Sequence, residues 1–181
     1  MLKLVIPIIT TSILSANVVS IKDDLYFLNH KLTLEQFKML KITYLYAKKY
    51  NLQYTATAIA WQESQFGKWK INLQDPSCGV FHQLLPDLAN RYHIKATNWN
   101  MSRLCENLQQ FDYSFKVFLD TFREKQITCY NKGHKYKASN WKCAVKAYNT
   151  YGNTAYYKNI VNKIKALHIW FKEKEINLEP F

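Results

Sequence analysis

Residues 55–65, read as Thr-Ala-Thr-Ala-Ile-Ala-Trp-Gln-Glu-Ser-Gln, constrain this chain more than any other stretch. Wound as a helix, Ala56, Ala58, Ile59, Ala60 and Trp61 leave almost no polar face. A surface helix carries one apolar stripe, whereas a helix that is apolar nearly all round has to be enclosed by neighbours. The segment therefore predicts a buried central helix over about Thr55–Gln65, with Gly67 placed to end it. A single carboxylate, Glu63, falls in its last turn. Ionised carboxylates are unfavourable in apolar surroundings, so Glu63 has to be partnered or remain partly protonated.

The flanking sequence supplies the enclosing elements. Thr33 and Gln36 have capping-box spacing, and Leu34, Phe37, Leu40, Tyr44 and Ala47 follow at i+3/i+4 steps, with Asn51 as the stop. Residues 21–32 read as a lead-in that docks, and 67–78 as a loop. A short helix follows with Pro86 near its first turn, and residues 93–101 read as irregular. Residues 102–126 predict one long helix, striped by Leu104, Leu108, Phe111, Phe115, Phe118, Leu119 and Phe122. Residues 128–138 read as a polar, basic loop; Ser139 then caps a helix with Trp141, Ala144, Val145 and Tyr148. Gly152 breaks the chain before a last helix over 154–174. Only four Gly and four Pro among 181 residues argue against a turn-rich β fold. The expectation is one compact, mainly α domain without internal repeats.

Lys3 followed by the apolar run Leu4–Leu14 resembles a secretory signal peptide, with a cut near Ala16 or Ser20. Residues 1–20 are thus read as a leader and 21–181 as the mature domain; an uncleaved anchor or a buried first helix are the alternatives. The run is too short to span a bilayer, and no later segment reaches that length. Cys78, Cys105, Cys129 and Cys143, an even number in an exported chain, predict two disulfides. Three pairings are open; Cys78–Cys105 with Cys129–Cys143 closes the shortest loops and is preferred. The five His are scattered and no CxxC occurs, so no metal site is read. A net charge of +12 favours a polyanionic partner. Nucleic acid, an anionic membrane surface and an anionic cell-wall polymer are all open on charge alone; the export signal and cysteines argue against the first.

General-acid cleavage of a glycosidic bond needs a carboxylic acid still protonated near neutral pH, and an apolar pocket provides one. Glu63 between Trp61 and Phe66 fits. Most glycosidases need a second carboxylate. Asp75 is the nearest in sequence, while Glu106 and Asp112 fall on the long helix, where solvent-facing positions are the default. With no obvious second catalytic acid, one Glu performing both proton transfers is the simpler reading.

Glu63-Ser64 at a helix end, Cys78-Gly79-Val80-Phe81-His82-Gln83 downstream, and Ala147-Tyr148-Asn149 near the end together resemble the soluble lytic transglycosylase domain, over roughly Thr33–Leu167. The resemblance implies a lysozyme-like helical fold. It implies a periplasmic enzyme, without cofactor or metal, that cleaves the MurNAc-β-1,4-GlcNAc bond of peptidoglycan glycan strands to a 1,6-anhydro product. Glu63 becomes the acid, then the base. Tyr148 reaches over to hydrogen-bond or orient it, Asn149 supports that turn or touches substrate, and Ser64, grouped with the site, caps or braces. Two departures stand out. Three residues rather than two separate Gly79 from Gln83, so His82 and Gln83 compete for the family Gln position, with His82 favoured by counting from the Gly turn. Thr150-Tyr151 also lengthen the step to Gly152. Trp69, Trp99, Tyr92 and Tyr156 are candidates to pack against sugar faces. Small size suggests a specialised enzyme, and by analogy with the family that it resembles, one serving a secretion or surface apparatus. The alternatives are a hydrolase of the goose-type lysozyme kind and a non-catalytic peptidoglycan-binding scaffold.

Overall fold

The central segment forms helix α3 (Gln53–Ser64), in which Ala56, Ala58, Ile59 and Ala60 are wholly shielded from solvent. It is part of a computed structural model that describes residues 19–72, 74–149 and 154–174. The expected leader lies outside the described residues up to position 18, as does the turn at Thr150–Gly152. Two helices pack directly on α3: α2 (Leu34–Lys48), entered through the expected Thr33–Gln36 capping box, and α8 (Thr154–Glu173). The chain is a mainly α, single-domain structure.

The predicted lead-in is itself a helix, α1 (Ile21–His30), capped by Ser20, whose Oγ accepts from the Asp23 amide. It docks on α8. Asn159 Oδ1 accepts from the Val19 amide (3.0 Å), and Asn162 Nδ2 donates to the Val19 carbonyl (2.9 Å). Lys163 Nζ meets Asp24 Oδ1 at 3.0 Å with both side chains buried, and lies 4.7 Å from the Trp61 ring centroid. Burial outweighs the pull of Lys163, so the Asp24 carboxyl titrates above its ordinary value.

Helix α3 ends at Ser64, three residues before Gly67. Gln65 and Phe66 already adopt left-handed backbone (φ 49° and 58°), and Gly67 continues it at 81°. Non-glycine residues pay steric strain there, on the order of 1 kcal/mol each. Burial of the Phe66 ring, 5.6 Å from Trp61, returns roughly 2–3 kcal/mol. Gln36 Nε2 also ties the turn by donating to the Gln65 carbonyl (2.9 Å).

The stretch 67–78, expected as plain loop, holds two strands of a small antiparallel sheet, β1 (Ile71–Asn72) and β2 (Ser77–Cys78), and β3 (Gln83–Leu84) completes it just beyond, in the order β1-β2-β3. Its register sets Asn72 opposite Ser77 and Cys78 opposite Gln83. Between β2 and β3 the chain turns at Gly79 (φ 85°), where a Cβ would stand 2.6 Å from Ser114 Oγ and 2.9 Å from the Leu108 carbonyl. Only glycine meets both the conformation and the contact. After β3 comes the short helix α4 (Leu85–Arg91), with Pro86 in its first turn.

The long helix predicted over 102–126 is two. Helix α5 (Asn98–Gln109) begins inside the stretch read as irregular. Gln110 then takes extended backbone (ψ 125°), and α6 (Phe111–Asn131) follows. The break is silent in the apolar pattern because Leu108 and Phe111 keep an i+3 step across it. It sends α5 over α4 and β2, where Leu85, Leu88, Leu104, Leu108 and Val117 make a satellite core, while Phe115, Phe118 and Phe122 enter the main one. Helix α6 runs on to Asn131, and α7 (Lys137–Tyr148) begins at Lys137, so most of the predicted 128–138 loop is helical. Ser139 does not cap α7; its Oγ donates to the Tyr136 carbonyl. Disulfides join Cys78–Cys105 and Cys129–Cys143, the preferred pairing, tying β2 to α5 and α6 to α7.

Candidate functional site

Glu63 emerges from the last turn of α3 into a cleft of about 280 Å³, shared with the β2–β3 tip, α4, α6 and the end of α7. Its side chain is only 17% exposed. Tyr156, on the first turn of α8 and itself buried, donates its hydroxyl to Glu63 Oε1 at 2.6 Å. Desolvation dominates at this carboxyl and Asp75 adds repulsion. Together they outweigh the Tyr156 bond and raise its pKa from 4.5 to about 7. With Oε1 receiving the Tyr156 proton, the acid proton belongs on Oε2, the oxygen nearer His82.

His82 sits at the tip with left-handed backbone (φ 44°). Its Nε2 is 2.6 Å from the Trp69 carbonyl, which can only accept, so Nε2 carries the hydrogen. The neutral ring then presents a bare Nδ1 3.7 Å from Glu63 Oε2. Burial lowers the His82 pKa, against the opposing pull of the Trp69 bond and Asp75, which favours the neutral ring. Both competitors for the Gln position thus line one cleft, with His82 facing the acid and Gln83 turned the other way.

Gln83 belongs to a hydrogen-bond chain with one possible direction. Arg91 can only donate, and its Nη1 gives to Thr121 Oγ1 (3.0 Å). The Thr121 hydroxyl therefore passes its proton to Gln83 Oε1 (2.8 Å), which orients the amide so that Nε2 donates to the Tyr148 hydroxyl (2.6 Å). Tyr148 in turn donates to the Phe81 carbonyl (3.0 Å). Its proton is committed there, so Tyr148 does not hydrogen-bond Glu63 as the sequence resemblance implied. Tyr156 does. Tyr148 still lines the cleft, and burial and the Glu63 charge hold its hydroxyl pKa well above 10.

The remaining candidates separate cleanly. Asn149, at the end of α7, lines the cleft. Ser64 does not, being fully buried: it donates to the Val80 carbonyl (2.7 Å) and accepts from the Gly67 amide (2.8 Å), bracing α3 against the β2–β3 tip. Tyr156, grouped by sequence with aromatics for sugar faces, is buried behind the acid, whereas Trp69, Trp99 and Tyr92 are exposed. Glu106 and Asp112 face solvent. Asp75 and Asp87, by contrast, line the Glu63 cleft, with Arg91 and Lys125 on its α4 and α6 walls. Sequence reasoning missed Thr121 and Arg91 as members of the site, and gave Tyr156 a sugar-packing role rather than a bond to the acid. One signal was present for Tyr156: it shares the buried α8 stripe with Ile160, and a buried tyrosine hydroxyl needs a partner. Among the described residues no group of three His, Cys, Asp or Glu is placed to hold a metal ion.

No family model matches the chain, and neither the curated proteins nor the solved structures contain a significant match to it.

Proposed function

We propose that this protein is a peptidoglycan lytic transglycosylase with Glu63 as its single acid/base. The observation that carries this reading is the state of Glu63: a carboxyl pushed to about 7 by burial, opening on a cleft, with one oxygen held by Tyr156. A group with that pKa is protonated enough to donate and basic enough afterwards to accept. In the proposed reaction Glu63 Oε2 protonates the glycosidic oxygen as the C1–O bond breaks. The resulting carboxylate takes the proton from the muramoyl C6 hydroxyl, whose oxygen closes on C1. Tyr156 steadies the carboxylate between the two transfers. His82 Nδ1 stands 3.7 Å from Oε2, too far for a hydrogen bond, so the acid proton stays free for the glycosidic oxygen. Two disulfides favour an oxidising compartment, which the proposal takes to be the periplasm. Among the described residues no helix is long and apolar enough to cross a membrane. A leader removed at Ala16 rather than Ser20 keeps Val19 and the Ser20 cap, both of which are bonded into the fold.

A second reading rests on Asp75. It lines the Glu63 cleft and its charge acts on the Glu63 carboxyl, the placement wanted for a base that activates water in lysozyme-type hydrolysis. Mass spectrometry of fragments released from purified peptidoglycan decides. The proposal expects anhydromuramoyl ends, one water lighter than reducing ends, and loss of release in Glu63→Gln. Reducing ends abolished by Asp75→Asn would establish the hydrolase instead. Release unchanged in Glu63→Gln would end both.

A further inference from the structure

Opposite the cleft, the structure has a second groove that the chemistry of Glu63 does not use. It encloses about 960 Å³ between the α2–α3 turn, the C-terminal half of α6 and the start of α7. Thr121 and Lys125 of α6 face the cleft, whereas Arg123 and Ile127 face the groove. Each lies two residues on, about 200° around the helix axis. The groove is apolar and open to water: Ile127 is 63% exposed, Tyr130 53% and Tyr50 42%. Its charged lining is of one sign, Arg123, Lys135 and Lys137, with no acid among the residues that form it.

The start of α7 adds an independent observation. Helix N-termini favour Ser, Thr, Asp or Asn at the cap and acids in the first turn. Here the cap is Tyr136, 84% exposed and making no side-chain cap bond. Lys135 and Lys137 flank it, and the first turn carries no acid. The local rule is broken at the groove rim in each respect, and such departures concentrate where function opposes stability.

We propose that this groove docks an anionic, apolar peptide segment of a partner protein. Charge complementarity selects the occupant: apolar side chains would cover Ile127, Tyr130 and Tyr50, while carboxylates meet Arg123, Lys135 and Lys137. A second copy of this chain is disfavoured by the repulsion of its net charge of +12. A glycan strand held in the cleft would run along the other side of α6.

The probe is a short fluorescein-labelled peptide alternating Glu with Leu and Phe, titrated into the full protein by anisotropy, with binding mapped by amide NMR. The expected result is salt-sensitive binding that shifts amides around Ile127 and Tyr130. It weakens on the order of tenfold in Lys137→Glu and in Ile127→Glu, both at exposed positions, and is unchanged in Glu63→Gln. Lys137→Glu should raise the melting temperature while weakening binding, because a carboxylate suits a helix N-terminus; a merely structural Lys137 would not show opposite effects. Equal binding of the peptide with Gln in place of Glu overturns the proposal. So do amide shifts confined to the Tyr148 cleft, groove shifts produced by glycan fragments instead, dimerisation lost in Ile127→Glu, or tighter peptide binding after deletion of residues 175–181.

Discussion

Replacing Glu63 with Gln should make the protein more stable, and by an amount that grows with pH. The folded structure holds this carboxyl at about 7, against 4.5 for the ordinary group. Below pH 4 both folded and unfolded chains carry the proton and the site contributes nothing to the pH dependence. Between 4.5 and 7 the unfolded chain ionises while the folded one does not, so the folded state binds more protons and stability falls as pH rises. Above 7 the folded state holds a buried charge. The difference of about 2.5 pH units, at 1.36 kcal/mol each, amounts to ~3 kcal/mol of destabilisation at pH 8. The amide of the Glu63→Gln variant would carry no such charge and keeps an oxygen for Tyr156 to donate to. Thermal unfolding of both proteins between pH 4 and 8 measures it. Near pH 4 the two should melt within a degree or two of their fixed offset. By pH 8 the variant should have gained roughly 6–12 °C relative to wild type, at about 2–4 °C per kcal/mol for a chain of this size. An offset that stays constant across this range would refute the claim that burial controls Glu63, and with it the physical basis for a general acid.

Tyr156→Phe removes a hydrogen bond to the charged carboxylate worth ~1.5–3 kcal/mol, so the Glu63 pKa should climb a further one to two pH units. A carboxyl-carbon NMR titration reads this without reference to activity. Thr121→Val severs the directional chain and leaves the buried Gln83 Oε1 without its donor. It should lower stability by ~1–3 kcal/mol in denaturant unfolding, whereas Glu124→Gln, at the exposed outer end of Arg91, should change little. Removing Cys129–Cys143, which closes 14 residues, should lower stability by about 3 kcal/mol, and removing Cys78–Cys105, which closes 27, by slightly more. Only the second should disturb the cleft, because β2 forms part of its wall, and under the proposed activity fragment release from peptidoglycan would show the difference.

The sequence by itself determined the architecture. A helix without a polar face needs neighbours on every side, so α3 had to be central, and i+3/i+4 stripes marked the helices that could enclose it. It also singled out Glu63, because an acid among Ala58, Ile59, Trp61 and Phe66 is conspicuous in one dimension. Periodicity could not register the break at Gln110, where the apolar step runs on unbroken, or a sheet of two-residue strands too short to show alternation. It also could not say which tyrosine serves the acid. Tyr148 and Tyr156 both lie on helices near the chain end, and either could be aimed inward. The choice depends on which hydroxyl is already spent. Arg91, Thr121 and Gln83, from three separate elements, converge to fix the Tyr148 proton on the Phe81 carbonyl, which leaves Tyr156 alone to reach Glu63. Hydrogen-bond allegiance is a property of atoms brought together from distant positions, and only the tertiary structure brings them together.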